Sequence, residues 1–267
     1  MYVQPSSPQS IGGVIDDGIR LFRSSFSRCW LLAIIPGLVL AVYETFYPIS
    51  VPLYSALGHP SAFMALAQSP RLVVMDIVSG LLGLIFQGAV VVRELAILRG
   101  EESCTFAGAI GTGLRRLPGM VLATILFALA IAGGCIALLI PGLWLWARLQ
   151  LWTAALFAED ASATEALASS WRLTRGHWWR AATIFSVAVI IMIVLALVFT
   201  FVGGVFAALS QASTLGRTVL LYVFSLASRA IYYPLGAAIW LAMYHDFKLR
   251  LEGGDLVTRV GALDGAA

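Results

Sequence analysis

Few side chains in this sequence are of the types that carry out chemistry, and they are widely spaced. Three histidines and three cysteines are present, at His59, His177, His245, Cys29, Cys104 and Cys135. An odd number of distant cysteines fits neither a disulfide framework nor a C-x-x-C site, so we expect reduced structural thiols. The motifs H-E-x-x-H, G-x-x-x-x-G-K and G-x-S-x-G do not occur, and no carboxylate neighbours His177 to orient it as a base. We therefore predict no catalytic residue, no metal and no cofactor.

Charged residues inside long apolar runs are the stronger candidates for function, because charges in such places are rare and selected. Arg148 lies in GLWLWARLQLW, where Trp144 and Trp152 fall on its helix face and offer rings for cation–π contact. We predict that Glu44 or Asp76, at comparable depth in other runs, is its counter-ion. The predicted intramembrane polar cluster consists of Arg148, Glu44, Asp76 and Arg229.

Arg229 lies deepest of these, on one helix face with Ser225. Two interpretations of Arg148 and Arg229 stay open. Each is a structural ion pair or satisfied core residue, or each contacts a substrate or a lipid headgroup. Arg93 and Glu94, near the end of their run, are expected to extend toward the membrane interface.

The segment SWRLTRGHWWRAATIF, residues 170–185, alternates basic and aromatic residues directly before a long apolar run. Nucleic-acid binders share this mixture, but the adjoining apolar run favours a helix on the membrane surface that turns into a span. Ser162 and Glu165 have the spacing of a capping box at the start of this helix. The residues predicted to contact lipid headgroups are Arg20, Arg115, Arg172, Arg175, Trp178, Trp179 and Arg180.

The composition is that of a membrane protein, so these residues must be carried by membrane-spanning segments. The 267 residues are 60% hydrophobic and 12% charged, with a mean hydropathy of +0.90, whereas soluble proteins are roughly 25% charged. A Pro141-Gly142 turn, preferred over Gly133-Gly134, separates the third span from a short fourth one. Runs long enough to cross the hydrocarbon occur at about 30–49, 72–98, 119–140, 143–158, 181–203 and 218–244.

The distribution of basic residues predicts the orientation of these six spans. Nearly all arginines fall on one side, and the opposite loops contain only Arg71 and Arg217. The excess of basic residues marks the cytoplasmic side. We therefore predict a multi-pass protein of the bacterial inner membrane with both termini in the cytoplasm.

The spacing of small and basic residues divides the chain into three similar units. Gly18, Gly113 and Ser170 each follow an apolar pair by three residues and precede an apolar residue and an arginine. A neighbouring helix could approach closely at such small residues. We predict an all-α fold of six transmembrane helices in three hairpins, each preceded by a cytoplasmic amphipathic interfacial helix. It forms one domain over 1–267, with units at 10–98, 103–158 and 162–247 and a tail at 248–267. The alternative is that basic amphipathic helices share this pattern without true repetition.

Three stretches, LLIPGLWLWARLQLWTAALFAED, ALASSWRLTRGHWWRAA and YHDFKLRLEGGDL, carry a family resemblance. They resemble the glycerophosphoryl diester phosphodiesterase membrane domain and its uncharacterised bacterial relatives. In that family a soluble phosphodiesterase barrel can be fused to the membrane part and carries the chemistry. The resemblance here covers the membrane part alone, so it implies no catalytic residue.

Two functions follow from these patterns. The first is a non-enzymatic membrane protein that scaffolds, senses or organises lipid or a partner at the cytoplasmic face. The alternative is a transporter or channel for a small anionic solute or lipid, which would use the intramembrane arginines. Expected partners are membrane lipids, with a protein partner or a second copy of the chain as further candidates, and no nucleic acid. The outer loop at 50–70 is a lid in one interpretation and an ordinary connection in the other.

Overall fold

The fold is helical throughout the part of the chain that the structure, a computed structural model, describes: residues 2–46, 70–101, 104–137, 139–210 and 213–264. The predicted loop at 50–70, with His59, lies outside these residues except for Pro70. The helices are α1 Ile11–Phe46, α2 Pro70–Leu98, α3 Phe106–Ala137, α4 Leu139–Leu149, α5 Trp152–Ala158, α6 Ala163–Leu173, α7 Trp178–Leu209 and α8 Thr214–Asp264.

Five of the described helices are long and apolar enough to cross a membrane. These stretches are Ile11–Val42, Val73–Leu98, Phe106–Ile136, Trp178–Leu209 and Thr214–Leu251. Their length and composition are those of membrane spans, so the prediction of an all-α membrane protein agrees with the structure at this level.

The predicted fourth span is broken into α4 and α5. Its backbone breaks at Gln150 and Leu151, which separate the two helices. The side-chain oxygen of Ser170 accepts from the Leu151 N–H at 3.1 Å, and its hydroxyl donates to the Arg148 carbonyl at 2.8 Å. Backbone groups freed by a helix break need such partners. Side chains of α6 therefore stabilise the break.

α3 ends at Ala137 and α4 begins at Leu139, so Pro141 and Gly142 lie within a helix and not in the turn that the sequence suggested. Pro141 lies in the first turn of α4, where a missing N–H removes no helical hydrogen bond. Gly142 instead allows α4 to pack closely against α3. A Cβ atom added at Gly134 of α3 would lie 2.9 Å from the Gly142 Cα.

The interfacial helix is a separate element only in the third predicted unit, where it is α6. In the first two units the corresponding residues belong to the continuous helices α1 and α3. Thr174 caps the end of α6, and Gly176 follows with a φ of +80°. Among the described residues, only Gly100 and Gly176 are glycines with positive φ. A glycine of this kind ends a helix readily, and neither α1 nor α3 contains one.

The small residues of the three predicted units do permit close contacts. A Cβ atom at Gly18 would lie 2.8 Å from the Ile239 Cα on α8, and one at Gly113 would collide with the Ile85 carbonyl oxygen on α2. Ser170 is fully buried against the break between α4 and α5. The predicted close approach is therefore confirmed at all three positions.

Candidate functional site

Asp246 connects three distant segments in a buried polar network. Its Oδ1 accepts from the Gln9 backbone N–H at 2.7 Å, and its Oδ2 accepts from Arg180 Nη2 at 2.9 Å and Arg250 Nε at 3.0 Å. Both arginines also donate to the Gln9 carbonyl at 2.6 Å. Only 2% of the Asp246 side chain is exposed. The segment before α1 therefore meets α7 and α8 at one end of the bundle, which we call the Asp246 end.

This network corrects the prediction for Arg180. The sequence placed its guanidinium among the lipid headgroups, but the donors point to Asp246 and Gln9. Nε and Nη2 of Arg180 donate to one oxygen of a buried carboxylate, and Nη2 also donates to a carbonyl, so the guanidinium is fixed and has fewer N–H groups left for a headgroup.

A second carboxylate, Glu159, ties α6 and α8 to the end of α5. Its Oε1 accepts from the Tyr244 hydroxyl at 2.6 Å and from the Ser169 hydroxyl at 2.9 Å. The predicted capping box between Ser162 and Glu165 is present. Hydrogen bonds from Ser162 lower the pKa of Glu165, because they favour the charged carboxylate. The start of α6 is thus fixed firmly at the Asp246 end.

Arg148 is held by aromatic rings and by the end of α6. Its guanidinium carbon lies 3.9 Å from the centroid of the Trp171 ring and 5.0 Å from that of Trp144. Its Nη2 donates to the Trp171 carbonyl at 3.2 Å, and its Nε is 3.5 Å from the Thr174 hydroxyl. The predicted role of Trp144 is confirmed, whereas Trp171 takes the place expected for Trp152.

The predicted ion pair of Arg148 does not form within the described residues. Asp76 is exposed near the start of α2, and the Glu44 side chain lies outside what the structure describes. The structure therefore does not assemble Arg148, Asp76 and Arg229 into one cluster. Two indole faces and the carbonyl end of a helix stabilise the cation instead.

The remaining predicted headgroup residues are largely exposed, and their contact with lipid headgroups stays a prediction. The side chains of three of them, Arg115, Arg172 and Arg175, are exposed. Arg20 forms an ion pair with Asp17, and 62% of its side chain is exposed. Two aromatic residues accompany them: Trp178 and Trp179 stack with their ring centroids 3.9 Å apart.

An apolar groove between α4 and α7 was not predicted from the sequence. It has a volume of about 700 Å³. Indole rings of Trp144, Trp146 and Trp178 line it, together with Phe185. Both segments are rich in aromatic residues, which the sequence already shows. The sequence does not show that α4 packs beside α7, and the groove depends on that packing.

A second cavity, of about 320 Å³, lies where α7 meets α8. Arg229 lines it together with Thr200, Ser225 and Tyr232. The stem of Arg229 packs on α1, where a Cβ atom at Gly37 would lie 2.8 Å from the Arg229 Cδ. This cavity is separate from the surroundings of Arg148.

Glu94 corrects another expectation. It was predicted to extend toward the interface, but its side chain is fully buried and its Oε1 accepts from the Ser25 hydroxyl at 3.1 Å. Arg93 donates to the Arg28 carbonyl at 2.6 Å. Both residues therefore join α1 to α2.

The two histidines that the structure describes have different surroundings. His177 is exposed at the start of α7, and the His245 Nε2 lies 2.9 Å from the Pro5 carbonyl oxygen. Among the described residues there is no group of three or more His, Cys, Asp or Glu side chains that could hold a metal ion.

These features define a helical membrane protein with a buried charged network at one end, an apolar groove between α4 and α7, and a cavity lined by Arg229. The chain belongs to the family described as Domain of unknown function (DUF7847), which matches residues 75–247. No curated protein and no solved structure matches it. The match agrees with the expected uncharacterised family, but it is not to the glycerophosphoryl diester phosphodiesterase membrane domain.

Proposed function

We propose that the protein is a non-enzymatic bacterial inner-membrane protein that binds anionic phospholipid of the cytoplasmic leaflet and so senses or organises that lipid. The observation that carries this proposal is the apolar groove between α4 and α7. The exposed Arg172 and Arg175 precede its first α7 residue, Trp178, in the chain, and we call these two arginines the rim of the groove. A relationship to the phosphodiesterase membrane domain stays a hypothesis, and it implies no activity for this chain.

The topology in this proposal has six crossings, the fourth of which is the broken pair α4 and α5. Arg116 of α3 forms an ion pair with Asp160, just after α5. The chain between Arg116 and Asp160 therefore ends at the same depth in the bundle at which it began. The contact between Gln9 and Asp246 supports an even number of crossings. The excess of basic residues at the Asp246 end assigns that end to the cytoplasm.

The dimensions of the groove suit one acyl chain. It extends along α7 from Trp178 to Val189, a rise of about 17 Å at 1.5 Å per residue. One leaflet contributes about half of the roughly 30 Å of hydrocarbon. A chain lying in the groove would therefore have its headgroup near the start of α7.

Positive charge at the rim favours an anionic headgroup. Arg172 and Arg175 are exposed there, and Arg175 is close enough to Arg148 for their charges to repel each other. None of the three forms an ion pair within the described part of the chain. A phosphate placed among them would relieve the repulsion and accept hydrogen bonds from the guanidinium groups.

Neutralising the rim is expected to weaken this binding. Each basic side chain near a membrane surface attracts anionic lipid by about 1 kcal/mol. The double variant Arg172→Gln/Arg175→Gln should therefore lose about 30-fold in affinity for phosphatidylglycerol. The measurement is native mass spectrometry of the detergent-solubilised protein, titrated with phosphatidylglycerol and with phosphatidylcholine.

The matched control is Arg20→Gln/Arg115→Gln, which removes two exposed arginines of α1 and α3, helices that do not line the groove. It should change phosphatidylglycerol binding much less. Ala182→Phe, which fills the groove without a change of charge, should reduce the binding of both lipids. Equal affinity and headgroup preference in the rim variant and the wild type would refute the proposal.

The second candidate function is passage of a small anionic solute or lipid along the intramembrane arginines. Arg148 gives little support to this function, because its guanidinium lies between the rings of Trp171 and Trp144. Arg229 supports it more, since it lines a cavity with hydroxyl groups.

A further inference from the structure

Arg229 lies close to the middle of Thr214–Leu251, the last candidate membrane span. Along α8 it is about 22 Å from Thr214 and about 25 Å from Asp246, at 1.5 Å per residue. Asp246 marks one end of the bundle, and Thr214 starts α8 at the other. A guanidinium at this depth is costly and is found facing a protein interior or a water-filled cavity.

The packing of α1 makes room for this side chain. A Cβ atom at Gly37 would lie 2.8 Å from the Arg229 Cδ and 3.3 Å from its Nε. A larger residue at this position would therefore force the arginine aside. Gly37 lets the stem of Arg229 lie against the α1 backbone.

The cavity beside Arg229 is polar on one side. Its volume of about 320 Å³ falls at the lower end of the range for small-molecule sites. Hydroxyl groups of Thr200, Ser225, Ser228 and Tyr232 line it, and the rest of the wall is mainly apolar. The hydroxyl groups can donate to an anion together with the guanidinium.

Arg229 has no hydrogen-bond or ion-pair partner within the residues that the structure describes. Its guanidinium has five N–H donors in a planar fork that matches the oxygen atoms of phosphate. In a low dielectric, an uncompensated cation is far less favourable than a paired one. An anion in the cavity would supply the missing partner.

We propose that this cavity is an intramembrane binding site for a phosphate group, held by the Arg229 fork and the hydroxyl groups of Ser225, Ser228 and Tyr232. The site is distinct from the lipid groove, and it does not depend on the function proposed for that groove. Two sources can supply the group: free phosphate that enters with water, or the headgroup of a lipid that moves between leaflets.

A cysteine at Ala196, an apolar residue of the cavity wall, tests this site. The full chain, with its three native cysteines replaced by alanine, is placed in phosphatidylcholine nanodiscs. An anionic methanethiosulfonate should modify Ala196→Cys faster than a cationic one, because the Arg229 charge attracts it. Inorganic phosphate at about ten times its dissociation constant should slow the anionic reagent about tenfold, because a bound phosphate excludes the reagent.

Dihexanoyl phosphatidic acid replaces inorganic phosphate in a parallel arm. Protection by phosphate identifies a free-ion site, and protection by the lipid alone identifies a headgroup site. Arg229→Gln should abolish both the protection and the preference for the anionic reagent, whereas Arg217→Gln at the start of α8 should preserve them. If Arg229→Gln does not fold, Arg229→Lys should keep the preference and weaken the protection. Failure of both reagents to react, or reaction without protection by either probe, would overturn the proposal.

Discussion

The substitution Asp246→Asn is expected to lower the free energy of unfolding by about 3 kcal/mol, the lower end of the effect of breaking a buried ion pair. Asparagine has nearly the same size but no charge, so it leaves Arg180 and Arg250 without their shared counter-ion. The effect should lie at the lower end because 17% and 28% of these two side chains are exposed. The measurement is unfolding in mixed micelles titrated with dodecyl sulfate and followed by tryptophan fluorescence.

Asp16→Asn is the control for this experiment. Asp16 is an exposed acid on α1, and surface substitutions usually change stability by less than about 0.5 kcal/mol. Equal unfolding midpoints for Asp246→Asn and Asp16→Asn would show that the network at Asp246 does not stabilise the contact of the segment before α1 with α7 and α8.

Two alanine substitutions on α3 are expected to have opposite effects on stability. Gly113→Ala places a methyl group against the Ile85 carbonyl oxygen, a backbone atom that cannot rotate away. Overpacking of this kind lowers stability by about 1 to 3 kcal/mol. Gly111→Ala meets no atom within 4 Å and should raise stability by up to about 1 kcal/mol, because alanine favours the helix.

The same unfolding titration measures both alanine variants. The two positions lie two residues apart on one helix, so the difference between them isolates the contact with α2. The close approach of α2 and α3 would be refuted if Gly113→Ala were as stable as Gly111→Ala.

The sequence was sufficient for features that depend on neighbouring residues in the chain. Long apolar runs predicted the helices, and the spacing of Ser162 and Glu165 predicted a capping box that forms. The pattern around Gly18 and Gly113 predicted close helix contacts, because helical periodicity shows which residues share a face.

Features that depend on which helices are neighbours could not be predicted. The sequence suggested Asp76 or Glu44 as the partner of Arg148, but spacing along a helix does not show which helix lies opposite. In the structure, α6 reaches Arg148 through Trp171 and Thr174. The break at Gln150 has the same kind of cause, because no proline or glycine marks it and its partner, Ser170, is on another helix.

The central claim is that the chain crosses the membrane six times and presents its basic end to the cytoplasm. Labelling of single cysteines with a membrane-impermeant maleimide tests it most directly, in spheroplasts that carry a variant without native cysteines. Ser7→Cys and Leu251→Cys should react only after the membrane is opened, whereas Arg217→Cys should react in intact spheroplasts. Labelling of Ser7→Cys and Leu251→Cys from opposite sides, or of both from outside, would contradict the account.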